Sequence, residues 1–458
     1  MRSDLACGGA PSEPRFLGVQ SHGGSASLLG MKLLVFAHTP PPSHGQSRMV
    51  KLLLEVFGGD ARQRAAPARP TAALPASQGP AVECFHVNCQ FSADLQDVGR
   101  VRFGKVALLF KYCLEAIWCR LRYGVRTFYY IPAPGMRSAI YRDWLVMLLC
   151  RPFYRQLVLH WEAAGLGEWV QTQARPWERW LTCRLLGRAD LSVVLGEHYR
   201  ADVAPLGPKS VIVIPNAAAD PCPDCATSVE PRRQARRRVR AHLLKGQSPA
   251  RADLDLAGAD SQVFRVLYLS NCFKEKGLFD AVEAVASANR QLAQERSPLR
   301  VHLTVAGTFW FETERQVFER RLREPDLNGP APQAGRPAVV EYRGFVEHEQ
   351  KHRLFAESDC FCFPTYYACE GHPVSLVEAM AYDLPIITTR WRMIPDLFPK
   401  GYGGLVRPQA PDEVAAALRQ FLREGPPCEF RKQFLAQFTE TIFAERMSNA
   451  LHQLAHPL

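Results

Sequence analysis

The chain lacks a long apolar run anywhere in its 458 residues. No stretch approaches the roughly 18 to 20 apolar residues that a helix needs to cross a bilayer. The apolar residues after Met31 stop at His38 and three prolines, which is too short for the core of a signal peptide. We therefore interpret residues 31–37 as a β-strand, and the Gly-, Ser- and Ala-rich residues 1–30 as a disordered tail.

The chain also has little that could hold a metal ion. Among its fourteen cysteines, only Cys222 and Cys225 form a Cys-x-x-Cys pair, and no second pair or matching histidines lie close to it in the sequence. A zinc site needs such partners. Because the start of the chain does not look like a secretory signal, the cysteines are expected to be thiols. We predict no metal and no other cofactor.

Length and composition indicate two globular domains. An apolar fraction of 47% and a charged fraction of 22% are ordinary for a folded protein, and 458 residues exceed what one hydrophobic core usually supports. The predicted parts are a tail at 1–30, a first domain at 31–225, a basic linker at 226–262, a second domain at 263–427 and a C-terminal helical segment at 428–458.

Short apolar strands alternate with helical patterns along nearly the whole chain. This alternation is typical of βαβ units and predicts an α/β protein with doubly wound, mainly parallel sheets. Residues 61–80 break the rhythm and predict a long exposed loop. The predicted strands lie near 33–37, 85–91, 127–131, 157–160, 191–195 and 211–214, and then, from 264 onward, near 301–306, 339–342, 360–363, 386–388 and 404–406.

The segment 359–388 carries the most specific functional pattern of the chain. An apolar strand ends at Pro364, a polar loop carries Glu370, and Pro373 starts a short helix that contains Glu378. A buried strand follows at once. The pattern predicts one βαβ unit with two carboxylates at the edge where open α/β sheets bind ligands.

Four other segments carry matching motifs: VLYLSNCFKEKG at 266–277, YRGFV at 342–346, PNAAAD at 215–220 and HTPPPSHGQS at 38–47. Together with the segment 359–388 they resemble family 4 of the retaining, nucleotide-sugar-dependent glycosyltransferases, the glycosyl transferases group 1. The resemblance extends over residues 32–450.

The resemblance implies a GT-B fold, in which two Rossmann-like domains face each other across a cleft and the last helix crosses back to the first domain. It implies a hexosyltransferase that moves a sugar from a UDP- or GDP-linked donor to a glycan or lipid-linked acceptor in polysaccharide or glycoconjugate biosynthesis. Retention of the anomeric configuration is also implied. This class needs no Asp-x-Asp motif, because a lysine and helix dipoles replace a divalent cation.

Lys276 and Gly277 stand where a helix begins after a strand. The Lys276 ammonium could reach the oxygens of a diphosphate that backbone N–H groups already face, although an isolated Lys-Gly at a helix start is usually just solvated. The family has an arginine where this chain has Asn271. Since asparagine can donate hydrogen bonds but carries no charge, part of the positive charge that neutralises the diphosphate must come from elsewhere or be absent.

By the same resemblance, Glu378 accepts hydrogen bonds from the ribose hydroxyls and Glu370 contacts the hydroxyls of the transferred sugar. Either glutamate could instead simply be exposed. The backbone of Gly371, His372 and Val374, near a helix N-terminus, could meet the diphosphate or the sugar.

Two residues of the first half complete the predicted site. His160 closes a strand and, by resemblance, lies beside the donor sugar, the alternative being a hydrogen-bonded core histidine. Gly45 could let the first loop approach the ligand closely, or it could be a plain turn glycine.

Basic and aromatic residues are concentrated between residues 100 and 155. Eleven Lys or Arg residues stand there against only Glu115 and Asp143, within a chain of net charge +11. We expect a cytoplasmic protein that attaches peripherally to an anionic membrane surface, or else a domain whose aromatics fill the core while the arginines solvate it. Nucleic-acid binding is a poorer explanation, because no recognised module accompanies the charge.

Two further functions remain open. A catalytically weak GT-B protein could serve as a binding partner in a glycan-assembly complex, an alternative that Asn271 favours. A nucleotide-sugar epimerase fits less well, because the PVSLVE frame of Glu378 resembles transferases.

Overall fold

The structure is a computed structural model that describes residues 30–41, 45–63, 82–90, 103–329, 338–425 and 429–456. The predicted tail therefore lies outside the described residues, apart from Gly30. The predicted loop at 61–80 is described only at its start, where Ala61–Gln63 form a 3-10 turn.

The first sheet has six parallel strands in the order β2-β1-β3-β4-β5-β6. The chain winds outward from β1 to β2 and then returns past β1 to β3, so the order reverses between β1 and β3. The strands are β1 (Lys32–Ala37), β2 (Glu83–Asn88), β3 (Thr127–Tyr130), β4 (Gln156–Trp161), β5 (Leu191–Val194) and β6 (Val211–Val213).

Helices cover both faces of this sheet, so its strands are apolar on both sides. Successive side chains of β1 illustrate this: Leu33 and Val35 pack with one group of helices, whereas Leu34 and Phe36 pack with the other. The helices of this half are α1 (Gly45–Val56), α2 (Phe103–Tyr123), α3 (Arg137–Cys150), α4 (Leu166–Thr172), α5 (Pro176–Leu186) and α6 (Tyr199–Val203).

The second sheet repeats the design, with strand order β12-β11-β10-β7-β8-β9 and all neighbours parallel. Its order reverses between β7 and β10. The strands are β7 (Val263–Leu269), β8 (Arg300–Ala306), β9 (Val340–Tyr342), β10 (Cys360–Phe363), β11 (Ile386–Thr389) and β12 (Leu405–Val406).

The remaining helices belong mainly to this second half. They are α7 (Cys225–Ser228), α8 (Glu230–Leu244), α9 (Arg251–Ala257), α10 (Leu278–Gln294), α11 (Glu312–Leu322), α12 (His348–Glu357), α13 (Val374–Ala381), α14 (Pro411–Arg423), α15 (Phe430–Gln437) and α16 (Glu440–Ala455). The predicted fold class is confirmed: the chain is an α/β protein with two doubly wound sheets, and the predicted strands are present within a few residues of the predicted ends.

The segment 226–262, expected as a basic linker, instead holds α8 and α9. Some of the arginines of this segment face inward. Arg236 and Arg240 are buried and donate to the buried Asp359 carboxylate at 2.9 and 3.0 Å. Arg233 donates to the backbone carbonyls of Ser358 and Tyr382. Composition alone does not distinguish arginines paired in the interior from arginines in solvent.

The segment 428–458, expected as a C-terminal helix that crosses back, holds two helices, α15 and α16. The chain breaks helical geometry at Phe438, whose carbonyl accepts from the Ala218 N–H at 2.9 Å, and Thr439 caps α16. Arg431 binds Asp220 through two 2.6 Å contacts. Helix α16 then packs Phe443 and other residues on the face of the first sheet that α1 also covers. The two segments that link the halves are thus bonded to each other.

Among the described residues, no helix combines the length and the apolar character of a bilayer-spanning segment.

We predict that Asp359→Ala destabilises the protein by about 3 to 5 kcal/mol, because it leaves two buried guanidinium groups without their counter-charge. Denaturant unfolding followed by circular dichroism measures this. The control is Asp253→Ala, which removes the partner of the half-exposed Arg238 and should cost far less. Equal losses in the two variants would show that the Asp359 cluster is not a structural centre.

Candidate functional site

Two loops meet at the carboxyl edge of the second sheet because β7 and β10 are neighbours at its reversal point. The Tyr366 N–H donates to the Glu275 carbonyl at 2.8 Å, which ties the loops together. Gly277 has a φ of +77°, and a Cβ there would lie 2.2 Å from the Pro364 carbonyl oxygen. Only glycine permits this close packing, so the packing of the two loops by itself requires a glycine at position 277.

Lys276 and Glu370 form an ion pair between these loops. The Lys276 Nζ lies 2.8 and 3.0 Å from the two carboxylate oxygens, and the Thr365 hydroxyl donates to the same carboxylate at 2.7 Å. The ammonium also lies 4.8 Å from the centre of the Tyr367 ring. Both charged side chains are largely buried, so the loops hold them in one defined geometry.

Glu378 lies one turn into α13 and has two cationic neighbours. The Lys351 Nζ, from α12, is 2.5 Å from its carboxylate, and a guanidinium nitrogen of Arg48, from α1, is 3.6 Å away. Arg48 belongs to the first half of the chain. The two halves therefore meet at this carboxylate.

The N-termini of α1 and α13 face each other at the same place. A Cβ added to Gly45 would lie 3.7 Å from a Val374 methyl group, an ordinary contact. The protein fold therefore does not itself require glycine at position 45, and the approach of a ligand stays the predicted reason.

His160 lies at the end of β4, where burial lowers its pKa to about 3, so the ring is neutral near pH 7. Its Nδ1 is 2.5 Å from the Tyr129 hydroxyl, whose own pKa is raised by burial. With that hydroxyl donating to Nδ1, the single ring proton lies on Nε2.

Glu162 follows two residues later, with a carboxylate oxygen 3.5 Å from the His160 Nε2. Burial raises the pKa of Glu162 to about 8, against the lowering effect of a hydrogen bond from Asn216. The carboxyl group is therefore mainly protonated at neutral pH. A neutral histidine and a neutral acid stand side by side in the interior.

The two halves touch where Glu162 meets Gly371. A Cβ on Gly371 would lie 2.3 Å from the Glu162 carbonyl oxygen and 3.2 Å from the Tyr199 hydroxyl. The next residue, His372, accepts through its backbone carbonyl from the Asn216 side chain at 3.0 Å. Close packing between the halves thus explains why residue 371 is a glycine.

Several buried polar atoms at this junction have no hydrogen-bond partner among the described residues. Such atoms are rare, and each costs about 1 to 3 kcal/mol, so a cluster of them is typical of a site that binds polar ligands. They are His160 Nε2, Glu162 Oε1, Tyr199 Oη, Asn216 Oδ1 and both ring nitrogens of His372.

Polar contacts also join the halves on the far side of this junction. Arg392 donates to the Glu168 carboxylate at 2.7 Å, and the His198 N–H donates to Asp396 at 3.3 Å. The carboxyl edges of both sheets are therefore held against each other around the buried polar cluster.

The predicted site residues thus come together, with two qualifications. Lys276 and Glu370 pair directly, and Glu378, Val374 and Gly45 lie at the α1–α13 contact. Asn271, at the end of β7, has only its backbone carbonyl engaged in a described contact, with the Tyr268 hydroxyl at 3.3 Å. His372 is buried, with burial lowering its pKa to about 3.

Sequence reasoning missed several participants: Glu162, Tyr199, Lys351, Arg48 and Thr365. The spacing of Glu162, two residues after a histidine at a strand end, is a signal that could have identified it. The others come from helices and loops that only the packing of the two halves brings near.

Within the described ranges, no group of three His, Cys, Asp or Glu side chains is arranged to hold a metal ion, and none of the cysteines described there is in a disulfide.

Residues 257–437 match the family model described as glycosyl transferases group 1. This region of the chain is a glycosyl transferases group 1 domain. It contains Lys276, Glu370 and Glu378, so the group 1 domain supplies the ion pair and the carboxylate of the site.

Two curated relatives are similar to parts of the chain. The amylovoran biosynthesis glycosyltransferase AmsK of Erwinia amylovora is 27% identical over 220 residues, which cover 46% of this chain and 50% of the relative. A putative colanic acid biosynthesis glycosyltransferase, WcaL of Escherichia coli, is 28% identical over 168 residues, 36% of each chain. The chain thus spans half or less of the length of these relatives.

Solved structures resemble the chain over nearly its whole length. Sucrose-phosphate synthase of Thermosynechococcus elongatus has a TM-score of 0.59 at 17% identity and covers 93% of this chain and 99% of its own. Anabaena HepE, solved in complex with UDP and glucose, has a TM-score of 0.53 at 14% identity, with coverages of 92% and 99%. At these identities the likeness shows the fold, which is GT-B.

We predict that Glu162→Gln flattens the dependence of stability on pH. The folded pKa of about 8 lies above the ordinary 4.5, so the native state holds a proton that the unfolded state releases, and wild-type stability falls as pH rises through this window. Between pH 5 and 8 the free energy of unfolding of the wild type should fall by up to about 4 kcal/mol, whereas that of the variant should not show this fall.

Denaturant midpoints at several pH values measure this effect. An exposed control, Glu349→Gln, should give a profile parallel to the wild type. If the Glu162→Gln profile is also parallel, the buried carboxyl is not protonated.

Proposed function

We propose that the protein is a retaining glycosyltransferase that moves a sugar from a nucleoside diphosphate to a glycan or lipid-linked acceptor in polysaccharide or glycoconjugate biosynthesis. The observation that carries this proposal is the Lys276–Glu370 ion pair, set between two loops at the reversal point of the second sheet. The first half of the chain closes over that point with buried, unpaired polar atoms.

Lys276 would neutralise the departing diphosphate. The bond between the anomeric carbon and the diphosphate oxygen breaks while positive charge develops on the sugar ring, so a fixed cation at the leaving oxygens lowers the barrier. The acceptor hydroxyl then bonds to the anomeric carbon from the same face, and its proton passes to the leaving phosphate. No covalent sugar–enzyme bond is required in this scheme.

Glu370 would hold the transferred sugar. Its carboxylate is anchored by Lys276 and Thr365, which both donate to Oε2, while Oε1 accepts only from Lys276 and can accept a further hydrogen bond from a sugar hydroxyl. His160, with its proton on Nε2, could donate to a hydroxyl from the opposite half of the chain. Both groups act by positioning the sugar.

Glu378 would bind the ribose of the donor. Because Lys351 and Arg48 both lie beside it, the carboxylate is oriented, and these cations add positive charge to a site whose loop carries Asn271 in place of a family arginine.

The names of AmsK and WcaL, in amylovoran and colanic acid biosynthesis, support a polysaccharide product. The HepE complex with UDP and glucose supports a UDP-sugar, with a GDP-sugar as the other candidate.

We predict that Lys276→Ala and Glu370→Gln each lower transfer from the donor by at least about a hundredfold, because each removes a group held at the reacting bond. Turnover with a radiolabelled donor sugar measures this. The double variant Lys276→Gln/Glu370→Gln leaves no unpaired buried charge, so it separates lost activity from lost folding.

The matched controls are Lys245→Ala and Glu349→Gln, which change exposed residues of the same type and should keep full activity. Unchanged turnover in a folded Lys276 or Glu370 variant would contradict the assigned role. Tight donor binding by the wild type without any turnover would favour a binding partner in a glycan-assembly complex.

We predict that one nucleotide series raises the melting temperature. A ligand at 100 times its dissociation constant adds about 2.7 kcal/mol of stability. Thermal-shift measurements with UDP-, GDP- and ADP-sugars should single out the uridine or guanosine series, and Glu378→Gln should reduce the shift through loss of the ribose contact. No shift with any of the three would contradict a donor site.

A further inference from the structure

Helices α2, α3 and α5 form one layer over the first sheet, and their outward face is apolar. We call this face the three-helix surface. Leu121 is 72% exposed, Leu114 and Trp180 are each 66% exposed, and Trp118 is 50% exposed. Its other exposed large apolar residues are Phe110, Tyr141, Leu145, Leu148 and Trp177.

The exposed residues recur at helical spacing. On α2 they lie at 106, 110, 114, 118 and 121, with Leu108 exposed off this spacing, while Leu109, Cys113 and Ala116 face the core. On α3 they lie at 141, 145 and 148. A helix that only covers a sheet has a polar outer face, so these two helices are apolar on both sides.

The three helices are continuous with one another. Trp177 of α5 packs against Trp144 of α3 with ring centres 5.7 Å apart. At the other boundary, the Tyr154 hydroxyl, just beyond α3, donates to the Ala116 carbonyl of α2 at 2.6 Å. The exposed apolar residues therefore lie on neighbouring helices of one layer and are not isolated surface leucines.

The charges around this surface are of one sign. The helices contain three acidic residues, and each is engaged: Glu115 with Arg62 at 2.7 Å, the buried Asp143 with the Tyr130 hydroxyl at 2.7 Å, and the buried Glu178 with Arg137 at 3.1 Å. The exposed charged residues that remain on the helices are cationic: Lys111, Arg122, Arg179 and Arg184.

A basic cavity lies just beyond the end of α3. It has a volume of about 300 Å³ and is lined by Arg151, Arg155, Arg188 and Lys209, with Asp190 as its acidic residue. Asp190 is already bound to Lys209 at 2.7 Å and to the Leu157 N–H at 2.8 Å. The cavity therefore suits an anionic group such as a phosphate.

We propose that the three-helix surface docks on an anionic lipid bilayer, with its Trp and Leu side chains in the interfacial region and the cavity arginines on lipid phosphates. Tryptophan and arginine together are typical of such interfaces. A second copy of the chain would bring like charges together, which disfavours self-association. This inference extends beyond the proposed function and does not depend on it.

Vesicle co-sedimentation of the full chain tests the proposal. The wild type should bind vesicles of phosphatidylglycerol and phosphatidylcholine, should bind pure phosphatidylcholine weakly, and should lose binding at high salt. Leu114→Ser/Leu121→Ser should lower the partition coefficient at least about tenfold. Arg155→Glu/Arg188→Glu should lower it on anionic vesicles alone.

The matched control is Leu254→Ser/Leu256→Ser, which removes two exposed leucines of α9 in the second half. It should bind as the wild type does. The proposal is overturned if the wild type fails to bind anionic vesicles at low salt, or if the control loses as much binding as the α2 variant. It is also overturned if the wild type dimerises in solution and the α2 variant does not. None of these readouts uses donor or acceptor.

Discussion

The Lys276–Glu370 pair is the contact on which the rest of the site depends. It joins the loops that follow β7 and β10, two strands that are neighbours in space but almost a hundred residues apart in the chain. The pair needs both the glycine that lets the first loop pass under Pro364 and the Thr365 hydroxyl that orients the carboxylate. Because ammonium and carboxylate compensate each other, two charges are tolerated where water is largely excluded.

The first half of the chain complements this charged pair with neutral groups. His160 and Glu162 both lose their charge through burial, and Tyr199 brings a hydroxyl to the same junction. The charged pair thus comes from the group 1 domain, where a diphosphate would be held, while the buried groups of the first half offer hydrogen bonds that suit sugar hydroxyls. The first half adds one cation, Arg48, beside Glu378. This difference between the halves arises because the second half supplies the loops at the reversal point of its sheet, whereas the first half packs over them.

The two segments that pass between the halves are bonded to each other. Asp220 and Arg431 come from the two segments that pass between the halves, and the backbone of Ala218 bonds to that of Phe438 beside them. The arginine-rich segment that follows the first passage is fastened to the second half through Asp359. The first half keeps one face open, the three-helix surface, which faces away from the core of its own sheet.

Local pattern was enough to determine the strands, the α/β class and the candidate residues Lys276, Glu370 and Glu378. A buried parallel strand is a short apolar run between turn residues, and its carboxyl end is where ligands bind, so both can be read from neighbouring positions. Tertiary structure alone decided that α8 is a packed helix, that α15 and α16 are separate, and that Tyr199 and Arg48 lie at the candidate site. Those outcomes depend on partners more than a hundred residues away, and burial, which sets the charge of His160 and Glu162, is a property of the assembled halves and not of any local stretch of sequence.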